Sequence, residues 1–205
     1  MQASSCSKKE VINDPIPSET VTDIDGNVYN TVTLGTQVWM VENLKTTKYR
    51  DGTNIPNVTD GIAWANLTTP AYCWYNNDLT VKNNYGALYN EYAVNTGKLC
   101  PTGWHVSTEN DWNTLISYLG GNDAAGYKIK EKGTTHWLGL NTGATNESGF
   151  TALPGGNRLD YDGSAFQGLG YTCGWWGGRG VSYEGKITGW YIDEGTGGSV
   201  RCVKD

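Results

Sequence analysis

Glycine and aromatic residues are concentrated near the C-terminus, and this limits what that part of the chain can fold into. Residues 155–199 contain about 14 glycines and eight aromatic residues in about 45 positions. No helical periodicity longer than a turn occurs after Lys132, so we expect short strands and long ordered loops there. The composition is typical of a binding surface, because Tyr and Trp supply contact area at low entropic cost and Gly permits irregular backbone. With only two Phe and two Met in the chain, these aromatic residues have either a pure core role or a mixed role as core and ligand-binding surface.

Length and charge narrow the class of protein. A chain of 205 residues suits one loop-rich β or α+β domain. The net charge is −6, the pI is about 4.9, and the 15 Lys and Arg residues are scattered singly. Binding along a phosphate backbone needs clustered cations, so we expect no nucleic-acid partner. The low charge and the abundance of Gly, Asn, Thr and Tyr favour an extracytoplasmic protein.

The first residues resemble the end of a bacterial lipoprotein signal. Residues 3–5 read Ala-Ser-Ser and precede Cys6, and a polar run follows. Only five residues precede Cys6, so the hydrophobic part of such a signal is missing, and the alternative is an unstructured N-terminus with an incidental cysteine. We expect lipidation of Cys6, a Pro-containing tether over residues 1–22 and a single domain over 23–205. The predicted location is the outer membrane at the cell surface, with the lipid anchor as the only membrane contact.

The remaining cysteines favour disulfides in an oxidising compartment. Cys73, Cys100, Cys173 and Cys202 form an even set with three alternative pairings. None has the CxxC spacing of zinc or redox sites. Bridging is favoured, and free buried thiols are the alternative.

Periodicity places strands in three regions. Residues 28–34 alternate with a period of two, Gly35 and Thr36 interrupt the pattern, and residues 37–41 follow, which predicts a β-hairpin. The apolar run 71–75 predicts a short buried strand. The alternation over 199–203 predicts a final strand.

One strong and one weaker helix are expected in the middle of the chain. Thr108 followed by Asp111 is a capping-box-like start, and apolar residues recur at helical spacing from Trp112 to Leu119. A Gly-Gly pair then ends the helix. A second helix over about 123–131 is weaker because a glycine interrupts it. Together these elements predict an α+β fold.

Six blocks of sequence carry a resemblance to a known family. They are residues 39–44 (WMVENL), 72–78 (YCWYNND), 85–90 (YGALYN), 99–106 (LCPTGWHV), 149–156 (GFTALPGG) and 199–203 (SVRCV). In this order they are similar to the Fibrobacter succinogenes major paralogous domain of bacterial lipoproteins, over about residues 23–205. The resemblance implies a C-type lectin-like α+β fold, with two helices, small antiparallel sheets and long ordered loops. It also implies a disulfide between Cys100, at the start of the first helix, and Cys202, in the last strand.

The chain departs from the family pattern in the glycine-rich part. It is shorter after the paired Trp175 and Trp176 and carries an additional Cys173. The resemblance also implies an alternative, because C-type lectin-like proteins are the usual products diversified by retroelements. Such a protein would vary in its aromatic and glycine-rich loops and would bind protein ligands.

The sequence argues against an enzyme. Its only histidines are His105 and His136, which nearly excludes a His-based triad or a multi-His metal site. We expect a hydrogen-bonded structural role for His105 and a surface or packing role for His136. No nucleophile elbow, P-loop, dinucleotide fingerprint or HExxH motif is present. The acidic pairs 160/162 and 193/194 are too close in sequence to favour the facing carboxylates of a glycosidase.

Calcium is the one cofactor that the sequence leaves open. Asn76, Asn77 and Asp78 are hard oxygen donors after a strand, and the acids at 160 and 162 form a second acidic loop. Neither has the complete spacing of a known calcium loop. The alternative for residues 76–78 is a turn whose side chains cap backbone groups.

We therefore predict a non-catalytic, lipid-anchored domain that binds a glycan or a surface protein, as an adhesin does. Apolar sugar faces would stack on Trp and Tyr, and Asp, Asn and Arg would bond to hydroxyls. The predicted ligand-binding residues are Tyr161, Asp162, Tyr171, Trp175, Trp176, Arg179, Tyr183, Trp190, Tyr191 and Asp193. At most one of Trp175 and Trp176 should be exposed if that segment is extended, because neighbours in a strand face opposite ways.

Packing is the predicted role of Trp39, Trp74, Trp104 and Trp112. A further alternative function is a pilus or structural subunit, in which the N-terminal segment before Val28 would add to the sheet of a neighbour.

Overall fold

A computed structural model describes residues 19–139, 141–159, 165–189 and 195–205. Its strands are β1 (Thr20–Thr22), β2 (Val28–Leu34), β3 (Gln37–Met40), β4 (Tyr72–Cys73), β5 (Leu88–Tyr89), β6 (Trp104–Val106), β7 (Gly155–Arg158), β8 (Phe166–Leu169), β9 (Thr172–Trp175), β10 (Arg179–Ser182), β11 (Ile187–Gly189) and β12 (Cys202–Lys204). Its α-helices are α1 (Gly61–Ala65), α2 (Lys82–Tyr85), α3 (Glu91–Val94), α4 (Glu109–Tyr118) and α5 (Asn122–Ile129). Single 3₁₀ turns lie at Tyr75–Asn77 and Leu79–Val81. This mixture of helices and small sheets is the predicted α+β class.

The first sheet joins strands from both ends of the described chain, in the order β1-β2-β3-β12-β6. The predicted hairpin is confirmed as β2 and β3, and Gly35 takes a left-handed φ of 63° in the turn between them. The predicted final strand is present but begins at Cys202. It lies between β3 and β6, where Val203 faces both Trp39 and His105. At one edge, β1 pairs with β2, so the end of the predicted tether belongs to this sheet.

The Cys100–Cys202 disulfide that the resemblance implies is present, with an S–S distance of 2.03 Å. It ties the segment before β6 to β12. Cys73 and Cys173 are free and buried, so the preference for bridging is wrong for these two residues. Burial raises the pKa of both thiols to about 12, which keeps them protonated and unreactive.

The two predicted helices are confirmed as α4 and α5. At the start of α4, the Thr108 hydroxyl accepts a hydrogen bond from the Asp111 N–H, and the Asp111 carboxylate accepts one from the Thr108 N–H at 2.8 Å. Helix α5 ends at Ile129, two residues before the expected end, because Lys130 has an extended backbone. None of the described helices has the length and apolar composition needed to cross a bilayer.

The glycine-rich part forms a second sheet with the order β11-β10-β9-β7-β8. Its strands are short, as predicted, and the described residues after Ile129 contain no helix. All neighbours are antiparallel except β7 and β9, which pair in parallel through Gly156 and Cys173. Gly156 has a φ of 62°, and a Cβ there would lie 2.3 Å from the Gln167 carbonyl oxygen. This position therefore requires glycine.

An aromatic cluster fills the main core. It consists of Trp39, Trp112, Phe150 and Trp175, and the ring centroids of contacting pairs are 4.9 to 5.8 Å apart. Each of these residues comes from a different part of the chain, so the cluster joins the first sheet, α4 and the second sheet. The four tryptophans predicted for packing are all buried.

Arg201 is fully buried beside this cluster. Its guanidinium lies over the Phe150 ring, with 4.3 Å between the guanidinium carbon and the ring centroid. It donates to the Asn43 side chain at 2.9 and 3.1 Å, to the Phe150 carbonyl at 2.9 Å and to the carbonyls of Met40 and Val41. These acceptors are neutral, and burial lowers the pKa of Arg201 to about 10. The side chain thus connects the end of β3, the segment after it and the loop around residue 150.

Candidate functional site

Half of the predicted ligand-binding residues lie outside the described part of the chain. These are Tyr161, Asp162, Trp190, Tyr191 and Asp193. The predicted lipidation site, Cys6, also lies outside it. The structure therefore places only Tyr171, Trp175, Trp176, Arg179 and Tyr183.

Trp175 and Trp176 are core residues, which corrects their predicted role in ligand binding. Trp175 is fully buried, and its indole N–H donates to the Asn43 side chain at 2.9 Å. Trp176 is 8% exposed, and its indole N–H donates to the Tyr89 carbonyl at 2.8 Å. The neighbours do face different surroundings, as expected of adjacent extended residues, but both sides of the chain are covered at this point.

Tyr171 and Tyr183 are exposed and lie side by side. Tyr171 precedes β9 and Tyr183 follows β10, and the Tyr183 N–H donates to the Tyr171 carbonyl at 2.9 Å. They extend the ladder in which Thr172 faces Ser182. Residues directly opposite each other in such a ladder project from the same face. Their exposed fractions are 47% and 43%.

Leu138 adjoins these tyrosines and is 69% exposed. Its N–H donates to the Gly170 carbonyl at 2.8 Å, and a Cβ on Gly170 would lie 2.6 Å from the Leu138 side chain. The next residue, Gly139, lies under Tyr183, since a Cβ there would be 2.9 Å from the Tyr183 Cβ. We call Leu138, Tyr171 and Tyr183 the tyrosine patch.

A buried lysine supports the patch from below. Lys130 has no exposed surface, and its ammonium donates to the Tyr183 carbonyl at 2.9 Å. The same ammonium lies over the Trp137 ring, 4.2 Å from the centroid. Burial lowers the pKa of Lys130 to about 8. The Tyr183 backbone is therefore fixed both by the β-ladder and by a hydrogen bond from the core.

Arg179 lies at the other end of β10 from Tyr183. Its guanidinium donates to the Gly178 carbonyl at 2.9 Å, to the Asn113 side chain at 2.7 Å and to Glu109 at 3.2 Å. The intervening strand separates the two residues by about 13 Å. The structure therefore does not bring Arg179 into the tyrosine patch.

The candidate calcium ligands form a turn. Asn76 and Asn77 both take left-handed φ values, and the Asn77 amide donates to the Thr59 carbonyl at 3.1 Å. The Asp78 carboxylate accepts from the N–H and hydroxyl of Thr80 at 2.8 and 2.7 Å. This is the alternative in which side chains cap backbone groups. In the described ranges, no three His, Cys, Asp or Glu side chains group as metal ligands.

Both histidines are held by carboxylates. His105 bonds to Asp205 at 2.7 Å and to Asp111 at 3.1 Å, and His136 bonds to Glu131 at 2.7 Å. Among the described residues, no Ser, Thr or Cys side chain bonds to either ring. The arrangement at His105 is the hydrogen-bonded structural role expected from its position before α4.

Leu138 is the residue of the patch that sequence reasoning missed. It lies before the glycine-rich part, and a single exposed leucine has no distinctive signal.

The family model described as the Fibrobacter succinogenes major domain matches residues 32–204. No curated protein and no solved structure matches the chain significantly. The match covers most of the chain, including the second sheet, α4, α5, the tyrosine patch and all of the first sheet except β1 and the start of β2. The chain therefore belongs to the Fibrobacter succinogenes major domain family.

Proposed function

We propose that this domain is a non-catalytic glycan-binding module of a bacterial cell-surface lipoprotein, with the role of an adhesin. The observation that carries the proposal is the tyrosine patch. It places two tyrosine rings and a leucine side chain in solvent, on a backbone that is fixed by the β9–β10 ladder and by Lys130. Exposed aromatic residues on fixed backbone bind at low entropic cost.

The chemistry of the patch suits a sugar. A tyrosine ring packs against the apolar C–H face of a pyranose, while its hydroxyl donates to or accepts from a sugar hydroxyl. The size of the patch also favours a glycan over a folded protein. A standard protein interface buries about 800 Å² on each partner, and three side chains supply much less.

We further propose that the fold is C-type lectin-like. Support comes from the Cys100–Cys202 disulfide between the segment before α4 and the final strand. The central position of β12 in a sheet of N-terminal strands is also in accord with it. Anchoring through Cys6 rests on the sequence before residue 19.

The proposal is tested with a glycan array, using the domain without Cys6, with and without calcium. The test variant is Tyr171→Ala/Tyr183→Ala. Tyr118→Ala is the matched control, because Tyr118 is a 60% exposed tyrosine on α4. We expect the wild type and the control to bind the same glycans and the double variant to lose at least about tenfold in affinity, since stacked aromatic anchors carry much of such binding.

Two results would contradict the proposal. One is the absence of glycan binding in either calcium condition. The other is equal binding by the double variant and the wild type, with melting temperatures showing that both are folded. A domain that binds no glycan but forms oligomers on size exclusion would instead indicate an assembly role.

A further inference from the structure

A concave surface separate from the tyrosine patch lies at the Arg179 end of β10. This open cleft has a volume of about 640 Å³ and is bordered by α4, the first residue of α5 and the β10–β11 hairpin. The volume is within the range of about 300 to 1,000 Å³ typical of small-molecule sites. We call it the polar cleft.

The floor of the polar cleft is apolar. Ile116 of α4 and Ile187 of β11 line it, and they are 7% and 3% exposed. Both belong to the main core, so the floor is fixed by the packing of α4 against the second sheet. A fixed apolar floor suits one face of a small ring.

The rim consists of side chains that can both donate and accept hydrogen bonds. It includes Asn113 and Ser117 from α4, Asn122 from α5 and Thr188 from β11. Among the described residues, the hydroxyls of Ser117 and Thr188, the side-chain amide of Asn122 and the side-chain NH₂ group of Asn113 make no hydrogen bond to another protein group. Neutral amides and hydroxyls of this kind complement hydroxyl groups, which also donate and accept.

Arg179 adds donors without adding net charge. Three of its five N–H groups are used, on Gly178, Asn113 and Glu109, which leaves two for a ligand. The Glu109 carboxylate compensates the guanidinium charge at 3.2 Å. The polar cleft is therefore suited to a neutral ligand rather than to an anion.

We propose that the polar cleft is a second binding position, which takes one neutral, hydroxyl-rich ring of a saccharide. The apolar floor would face the C–H groups of the ring, and the rim and Arg179 would bond to its hydroxyls. This inference rests on the proposed function in taking the ligand to be a glycan, but it concerns residues outside the tyrosine patch. The polar cleft and the tyrosine patch lie at opposite ends of β10.

The test is an NMR titration of the ¹⁵N-labelled domain with the methyl glycosides of glucose, galactose, mannose and N-acetylglucosamine. We expect at least one glycoside to shift the side-chain amide signals of Asn113 and Asn122. Ser117→Tyr fills the cleft and should abolish these shifts. Thr114→Tyr is the control, because Thr114 is an exposed residue of the same helix that does not line the cleft. Arg179→Gln should raise the Kd about tenfold or more, because hydrogen bonds from a charged group to the ligand are lost.

The outcomes separate this inference from the proposed function. Shifts that disappear in Ser117→Tyr but remain in Thr114→Tyr and in Tyr171→Ala/Tyr183→Ala support the polar cleft. Shifts that persist in Ser117→Tyr overturn it, because the ligand then lies elsewhere. Silent cleft signals, with array binding that still depends on the two tyrosines, overturn the polar cleft and leave the proposed function standing. Silence in both experiments overturns both.

Discussion

Arg201 is buried in the core, and its burial depends on acceptors from two separate parts of the chain, residues 40–43 and Phe150. The Asn43 side chain and the carbonyls of Met40, Val41 and Phe150 receive its N–H groups. A buried charge is tolerated only when its hydrogen bonds are satisfied. The block 199–203 predicted a strand, but the acceptors for Arg201 come together only in the tertiary structure.

Replacing Arg201 with methionine should destabilise the domain strongly. Arg201→Met withdraws its donors from the carbonyls of Met40, Val41 and Phe150, and it leaves the Asn43 side-chain oxygen with the Trp175 indole as donor. Each buried acceptor left unpaired costs about 1 to 3 kcal/mol, so we expect a loss of about 2 to 5 kcal/mol in the free energy of unfolding. Urea denaturation followed by tryptophan fluorescence measures this. Arg50→Met, at an exposed arginine, should change the value by less than about 0.5 kcal/mol. Equal small effects in both variants would show that the buried network contributes little.

The exposure of individual aromatic residues was the least predictable property at this scale. Tyr171 and Trp175 lie in the same glycine-rich context, yet one is exposed and the other is in the core. The difference arises from partners distant in sequence, such as Asn43, which accepts from the Trp175 indole. Composition alone contains no information about such partners.

At the scale of elements, local signals were sufficient for α4, α5 and the β2–β3 hairpin. A capping box, helical spacing and a two-residue period are properties of short segments, so one sequence reveals them. The strands of the second sheet have no such pattern. All four residues of β7, Gly-Gly-Asn-Arg, are buried. A strand that is covered on both faces shows no alternation of apolar and polar residues. The sequence therefore predicted short strands in this part of the chain but not their bounds.

The start of α4 should make stability depend on pH through His105. Burial alone would lower the pKa of His105, but hydrogen bonds to Asp205 and Asp111 outweigh it and raise the pKa above the ordinary value of about 6.5. A raised pKa contributes stability that is fully present below about pH 6.5 and is lost as the pH rises through the folded-state pKa. Urea denaturation measures this effect. The free energy of unfolding of wild type should exceed that of His105→Gln by more at about pH 5.5 than at about pH 8.5.

A control variant identifies the partner responsible for that pH dependence. Asp205→Asn keeps the size and shape of the side chain but removes the negative charge, which lies 2.7 Å from His105. When Asp205→Asn is present, the stability difference between the protein with His105 and the His105→Gln variant should depend less on pH. A difference that is the same at both pH values in the wild-type background would contradict the role assigned to His105.

At the scale of the whole molecule, residues far apart in sequence close the structure. Cys100 and Cys202 are 102 positions apart, and β12 lies between strands from the N-terminal and middle parts of the chain. The family resemblance was sufficient to predict this closure, because the disulfide is a property of related chains. Local patterns in one sequence were not, since four cysteines allowed three pairings.

Removing the disulfide should cost several kcal/mol. In Cys100→Ser/Cys202→Ser, the unfolded chain regains the freedom of a loop of about 100 residues, and we expect a loss of about 2 to 5 kcal/mol. Urea denaturation of the variant and of oxidised wild type gives the difference. Wild type in which the disulfide has been reduced should have about the same free energy of unfolding as the variant. If the oxidised and reduced wild type are equally stable, the crosslink has no such role.

The central position of β12 has a consequence for the order in which the domain is made. Val203 pairs with Trp39 in the middle of the first sheet, across about 160 residues of intervening chain. While a ribosome is still synthesising that interval, β3 and β6 lack the strand that joins them, and pairings across such a distance form slowly. The first sheet of the nascent polypeptide therefore cannot be completed until nearly all of the domain has been translated.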